Sequence, residues 1–189
     1  MMKNSKLHVL GIVGSPRQGG NTDILVDQVL TGAEEMGASI EKAILNKLNI
    51  NPCQACNSCY KTGKCMHNDD MEELLAKMLD SDLWVLGTPV YWWGPTAQFK
   101  AFLDRWYCPK HEDFRGKHAI LVISLGGSSN YARHTIGILT DVCNYLGIEL
   151  DETILAPGMN GKGAVREKDN LIQKAYNAGQ KAIKILINS

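Results

Sequence analysis

Short apolar runs alternate with longer amphipathic stretches along the whole chain. Leu7 to Val13 is apolar except for His8 and is closed by Gly14-Ser15-Pro16, the pattern of a buried strand. Leu25, Val29, Gly32, Ala33 and Met36 then share one helical face, and Gly37 supplies a stop. Ile40 to Leu45 is a second strand. Asp69 or Asp70 can cap the helix striped by Met71, Leu74, Leu75 and Met78, and Leu83 to Gly87 is the third strand. A helix from about Thr96 to Trp106 buries Phe99, Phe102 and Leu103. After a polar connection with Pro109 comes the strand Ala119 to Leu125, ended by Gly126-Gly127-Ser128-Ser129. Ile136, Leu139, Val142, Cys143 and Leu146 mark a helix, Ile148 to Leu155 a last strand, and Leu171, Ala175, Ala178, Ala182 and Leu186 a final helix. Strands alternating with helices in this way imply right-handed crossovers and a parallel sheet covered on both faces.

Composition narrows the class. With 189 residues and 44% hydrophobic side chains, the chain suits one domain with an ordinary core. Its 20 basic and 20 acidic residues cancel, which argues against a dedicated nucleic-acid binder. No apolar run approaches the roughly 18 residues needed to span a bilayer. Residues 1–6 hold no cleavable hydrophobic segment, so the expectation is a cytoplasmic protein with no membrane partner.

In an open parallel sheet, ligands sit beyond the carboxyl ends of the strands, near the point where strand order reverses. Three loops there are unusual. The first, Gly14 to Thr22, combines small residues at a helix start with Ser15, Asn21 and Thr22 as donors and Arg17 as a charged fork. It matches neither the dinucleotide fingerprint nor the Walker loop, and it points to a phosphate site rather than an ordinary capped turn. The second, Thr88 to Pro95, brackets Tyr91, Trp92 and Trp93 with prolines, a platform for a flat heteroaromatic ring. Trp92 and Trp93 suit a subunit interface equally well, whereas Tyr91 and the backbone from Pro89 to Gly94 are the better ring contacts. The third, Gly126 to Asn130, lets backbone approach closely and can hydrogen-bond the far edge of such a ring. Phosphate cradle, platform and glycine loop together describe a mononucleotide with a large flat head, and FMN fits best.

Four of the 6 cysteines crowd residues 53–65, as Cys53, Cys56, Cys59 and Cys65. Two-residue gaps let successive thiolates curl round one centre, as in tracts that hold a 4Fe-4S cluster. Zinc sites more often use two separated pairs, and disulfides conflict with a cytoplasmic setting. Zinc and free or oxidised thiols remain the alternatives. Cys108 and Cys143 read as structural. So do His8, His111, His118 and His134, and His67 is the histidine beside the tract.

Gly14-Ser15-Pro16-Arg17 with Gly20-Asn21-Thr22, Thr88-Pro89-Val90-Tyr91, and Lys100 with Asp104-Arg105 resemble the NADPH-dependent FMN reductase superfamily over nearly the whole chain. The cysteine tract and the following Lys64 to Met71 resemble its iron–sulfur flavoprotein branch. The resemblance implies a three-layer α/β fold with a doubly wound five-stranded parallel sheet of flavodoxin-like order 2-1-3-4-5. It implies one FMN-binding domain over residues 1–189 with a cysteine-rich loop at 51–69. Ser15, Arg17, Gly20, Asn21 and Thr22 would then hold the FMN phosphate. Pro89, Val90, Tyr91, Trp92, Trp93 and Gly94 would cradle the isoalloxazine, completed by Gly127 and Ser128. NAD(P)H would be the transient donor of an FMN-dependent oxidoreductase, and no catalytic acid or base is needed for hydride delivery. Further readings are a non-catalytic carrier exchanging electrons with a ferredoxin-like partner, a clusterless flavin or quinone reductase, and a small-ligand domain with a zinc-stapled loop. Relatives of this kind form homodimers or homotetramers.

Overall fold

The computed structural model describes residues 6–188. Its strands are β1 (His8–Val13), β2 (Ser39–Ile44), β3 (Leu83–Pro89), β4 (His118–Ser124) and β5 (Glu149–Ala156). They form one parallel sheet in the order β2-β1-β3-β4-β5. The helices are α1 (Asn21–Glu35), α2 (Ser58–Thr62), α3 (Met71–Asp80), α4 (Ala97–Asp104), α5 (His111–Phe114), α6 (Arg133–Leu146) and α7 (Asp169–Asn188). The expected sheet order and the helical covering of both faces hold. Two short helices, α2 and α5, occupy stretches expected to be loop.

Strand periodicity sorts the apolar side chains. Val9, Val13, Leu83, Val85, Ile120 and Val122 meet α1 and α7 on one face of the sheet. Leu10, Ile12, Trp84, Leu86, Leu121 and Ile123 point the other way, into the layer built by α3, α4 and α6. Both faces are dry, which explains why the strands read as near-continuous apolar runs rather than alternating ones.

Contact between α1 and α7 depends on missing side chains. A methyl group on Gly32 would stand 2.0 Å from the Tyr176 carbonyl oxygen, and one on Gly179 the same distance from that of Val29. Each glycine lets the facing backbone come to contact, so the helices cross closer than larger residues permit.

Candidate cofactor site and cysteine cavity

A cavity of about 230 Å³ opens at the carboxyl ends of β1, β3, β4 and β5. Ser15, Arg17, Gly20, Asn21 and Thr22 line it from the loop after β1, and Pro89, Val90 and Tyr91 from β3 and its exit. Its far walls are Ser124, Leu125 and Gly126, and then Met159, Asn160 and Lys162 after β5. That fourth wall has no counterpart in the reading of the sequence. Residues 158–163 hold an ordinary-looking glycine-rich turn, and only the fold carries Lys162 to the loop after β1.

The loop donors divide their work differently from expectation. Gly20 is the N-cap of α1 and makes no side-chain cap, so the first N–H groups of the helix lack intrahelical acceptors and face the cavity end of the dipole. Ser15 is 95% buried, and its Oγ accepts the Arg17 N–H at 3.2 Å, leaving its own proton to be donated. The Thr22 hydroxyl is buried 2.7 Å from the Ser124 hydroxyl, tying α1 to the end of β4. The Asn21 side chain is used as a strut. Its Nδ2 donates to the Gly161 carbonyl at 2.8 Å, and its Oδ1 accepts the Val165 N–H at 3.0 Å. Thr22 and Asn21 thus shape the cradle with their side chains, and the helix-start backbone supplies donors.

Charge is arranged in two layers. Asp23, buried behind the loop, accepts the Gly19 N–H at 2.7 Å and is paired to Lys42 at 3.0 Å. Lys42 also meets Asp27 at 2.5 Å. Burial pulls the Lys42 ammonium down, but the two carboxylates outweigh it and hold the group above its usual range. In front of this ion-paired layer stand the exposed cations Arg17 and Lys162.

After β3 the chain makes a tight turn in which Tyr91 and Gly94 exchange backbone hydrogen bonds of 2.9 and 3.1 Å. Trp92 and Trp93 are its central residues, with φ of +50° and +63°. Two central residues at positive φ are what a type I′ turn demands, and Asn-Gly is the usual occupant. Trp92 is 91% exposed. Trp93 packs against Tyr131, and its carbonyl accepts the Thr135 hydroxyl at 2.9 Å. Trp92, Trp93 and Gly94 lie beside the cavity rather than in its wall, as do Gly127 and Ser128. Gly127 is pressed to the Tyr131 ring, where a methyl group would stand 2.5 Å away.

A second cavity, of about 300 Å³, is walled by Cys53, Cys56, Cys59 and Cys65 with His67, Arg105 and Cys108. Positive φ at Ala55 (+52°) and Asn57 (+58°) curls the tract around it. Among the described residues no group of three or more His, Cys, Asp or Glu side chains is placed to hold a single metal ion; the thiols ring the space instead. The Cys59 thiol donates to the Tyr107 carbonyl at 3.7 Å. Cys108, expected to be structural, joins the tract in the cavity wall. Burial, then the neighbouring Cys59 and Cys65, push its thiol up against the opposing pull of the Cys65 N–H and Arg105. Cys143 is core as expected, and burial pushes its thiol up to about 11.

Both ends of the cysteine loop are anchored from α4's continuation. Arg105 donates from Nη1 to the Asn51 carbonyl at 2.9 Å and to Asp69 at 2.7 Å, and from Nη2 to Asp69 at 3.1 Å. Asp69 also accepts the Asn51 N–H at 2.9 Å, and Asp70 accepts that of Asn49 at 2.7 Å. Asp70, the N-cap of α3, makes no side-chain cap; Asp69 accepts the Met71 N–H at 3.2 Å. Burial pushes the Asp69 carboxyl up, but the Arg105 and Asn51 hydrogen bonds override it and hold the group at about 2.

The family model for NADPH-dependent FMN reductase matches residues 7–149. The chain belongs to the NADPH-dependent FMN reductase family. Within it, the chain is 44% identical over 99 residues to an iron–sulfur flavoprotein of Methanocaldococcus jannaschii, covering 52% of this chain and 51% of that protein. A second iron–sulfur flavoprotein of that organism is 28% identical over 195 residues, covering 94% of this chain and 98% of the relative. Among solved structures, a flavone reductase superposes with a TM-score of 0.76 at 22% identity, covering 94% of this chain and 62% of that one. The match spans about half to two thirds of the first curated relatives, at 51%, 56% and 65% of their lengths.

Against the FMN reductase family, the cavity fits a phosphate-bearing ligand. An uncapped helix start, a buried serine proton and two cations face one space, while Pro89, Val90, Tyr91 and Leu125 give it an apolar side. Residues 7–149 contain three of its walls, and Met159, Asn160 and Lys162 lie beyond that match. The cysteine cavity fits a sulfur-rich group. His67 Nε2 and Arg105 Nε are buried without a hydrogen-bond partner, and both residues line the cavity.

Proposed function

We propose that the protein is an FMN-dependent oxidoreductase that takes electrons from NAD(P)H. The observation that carries this reading is the cavity at four strand ends, where the open N-terminus of α1, Ser15 and Arg17 meet an apolar wall. Bound FMN supplies the hydride acceptor and an outlet for single electrons. The chain's own residues bind and orient. Helix-start N–H groups, Ser15, Arg17 and Lys162 take the phosphate, and Lys42 cancels the Asp23 carboxylate that would otherwise repel it. Pro89, Val90 and Tyr91 set one edge of the ring. Trp92, Trp93 and Gly94 lie beside it, Gly127 and Ser128 support the opposite loop, and Trp92 is exposed for a second copy in a homodimer or homotetramer.

The test is addition of FMN to apoprotein followed by anaerobic NADH or NADPH. Tight binding and bleaching of the flavin band support the oxidoreductase. Binding without bleaching favours a carrier supplied by a ferredoxin-like partner, and no binding in excess FMN overturns the reading.

A second element of the proposal is a 4Fe-4S cluster held by Cys53, Cys56, Cys59 and Cys65. All four cysteines line one cavity, as ligands to the separate irons of one cluster would. None of the six cysteines is joined in a disulfide. Residues 51–69 form an inserted loop on one flavodoxin-like domain. Iron and acid-labile sulfide measured after anaerobic purification test it; zinc alone overturns it.

A further inference from the structure

Three buried side-chain nitrogens have no hydrogen-bond partner among the described residues: His67 Nε2, Arg105 Nε and Trp106 Nε1. Unpaired buried donors are rare because each forfeits its hydration without return, so each calls for an explanation. Trp106 sits in the aromatic core with Trp84, Phe102 and Phe114 and does not line the cysteine cavity. His67 and Arg105 do line it, among the thiols of the tract.

Arg105 is otherwise committed. Nη1 is spent on Asn51 and Asp69 and Nη2 gives one N–H to Asp69, which fixes the guanidinium and leaves the Nε N–H and the second Nη2 N–H as its remaining donors. The guanidinium also stands beside the Cys65 thiol. His67 follows Cys65 by two residues and lies in the wall that separates the cysteine cavity from a neighbouring one lined by Glu72 and Asp113. Two buried nitrogens, Arg105 Nε and His67 Nε2, thus stand without partners on residues that line a cavity shared with Cys53, Cys56, Cys59, Cys65 and Cys108.

We propose that His67 and Arg105 are positioning residues for the iron–sulfur cluster, donating N–H···S hydrogen bonds that raise its reduction potential. The inference rests on the cluster reading above. One-electron reduction adds a negative charge to the cluster, and a donor fixed against sulfur stabilises the reduced form more than the oxidised one. Removing the donor therefore lowers the potential. Nothing is transferred from either side chain.

The experiment is anaerobic redox titration of the full protein, wild type beside His67→Phe and His67→Gln. Loss of one charge-assisted hydrogen bond corresponds to about a tenfold lower ratio of reduced to oxidised cluster at fixed solution potential, a shift of about 59 mV for one electron. His67→Phe shows that downward shift and His67→Gln, which keeps a donor, recovers most of it. An unchanged midpoint in a fully loaded His67→Phe overturns the proposal, whereas wild type without iron and sulfide overturns the cluster reading instead. Should His67→Phe fail to load, wild type labelled with ¹⁵N-histidine decides. Among the described residues His67 is the one histidine lining the cavity, and its nitrogen coupling to the reduced cluster in pulsed EPR supports the proposal, while absence of coupling refutes it.

Discussion

Arg105 and Asp69 form a two-pronged ion pair, 2.7 and 3.1 Å, with both side chains almost wholly buried and the cysteine loop strung between its attachment points. The same guanidinium reaches the Asn51 carbonyl, so one side chain holds the entry and the exit of the loop. A loop of mostly exposed residues gains its shape from that clamp rather than from a core of its own. Asp69→Asn leaves the Arg105 charge buried and unpaired, and a loss of about 3–5 kcal/mol in denaturant unfolding is expected, together with loss of bound iron.

The clamp has a pH signature. Asp69 titrates at about 2 in the fold against an ordinary 3.8, so its stabilisation is fully present above about pH 4 and disappears as pH falls towards 2. The contribution is about 2 kcal/mol. Unfolding free energies measured between pH 2 and 5 check it, and Asp69→Asn removes this part of the slope.

Two cations at the cradle predict a phosphate-specific loss. Arg17→Ala and Lys162→Gln each weaken FMN binding by roughly tenfold and leave riboflavin binding unchanged, as read by flavin fluorescence quenching. Equal weakening for both flavins would assign these residues to the ring instead.

Asn21 acts through the loop it braces. Asn21→Ala loosens the attachment of Gly161 and Val165, and with it the placement of Lys162. Its effect on FMN affinity is therefore expected to be several-fold alone and small in a Lys162→Gln background. A double-mutant cycle measures this, and full additivity contradicts the strut role.

The tryptophan turn carries a conformational cost. Bulky residues at positive φ cost about 1–2 kcal/mol each, so Trp92→Asn with Trp93→Gly raises the melting temperature of dilute protein. Sedimentation of the same variant is expected to show loss of self-association.

The opposite outcome is expected at the helix crossing. Gly32→Ala or Gly179→Ala drives a methyl group to 2.0 Å from a carbonyl oxygen, which forces α1 and α7 apart. A loss of about 1–3 kcal/mol in thermal or denaturant unfolding follows.

Much of this protein is written locally. Strands buried on both faces must be apolar throughout, and helices between them must show a stripe every three or four residues, so β1 to β5 and α1, α3, α4, α6 and α7 were legible from periodicity alone. Ser15, Arg17, Gly20, Pro89, Val90 and Tyr91 were legible for a related reason, since strand exits near a switch point collect ligands in any doubly wound sheet. The cysteine spacing marked the tract before any fold was known, and the fold adds the cavity that the four cysteines line.

What the tertiary structure decided is partnership across distance. Asn21 looks like a phosphate donor until Gly161 and Val165, some 140 positions away, claim its side chain. Thr22 is likewise claimed by Ser124. Lys162, Cys108 and the Arg105–Asp69 clamp carry no local signal, because a lysine in a glycine turn or an arginine in a helix end has many innocent uses. Periodicity reports which face of an element is buried, not which distant polar group it meets there. Only the folded chain pairs those groups, and in this protein the pairing shapes the cradle and closes the cysteine loop.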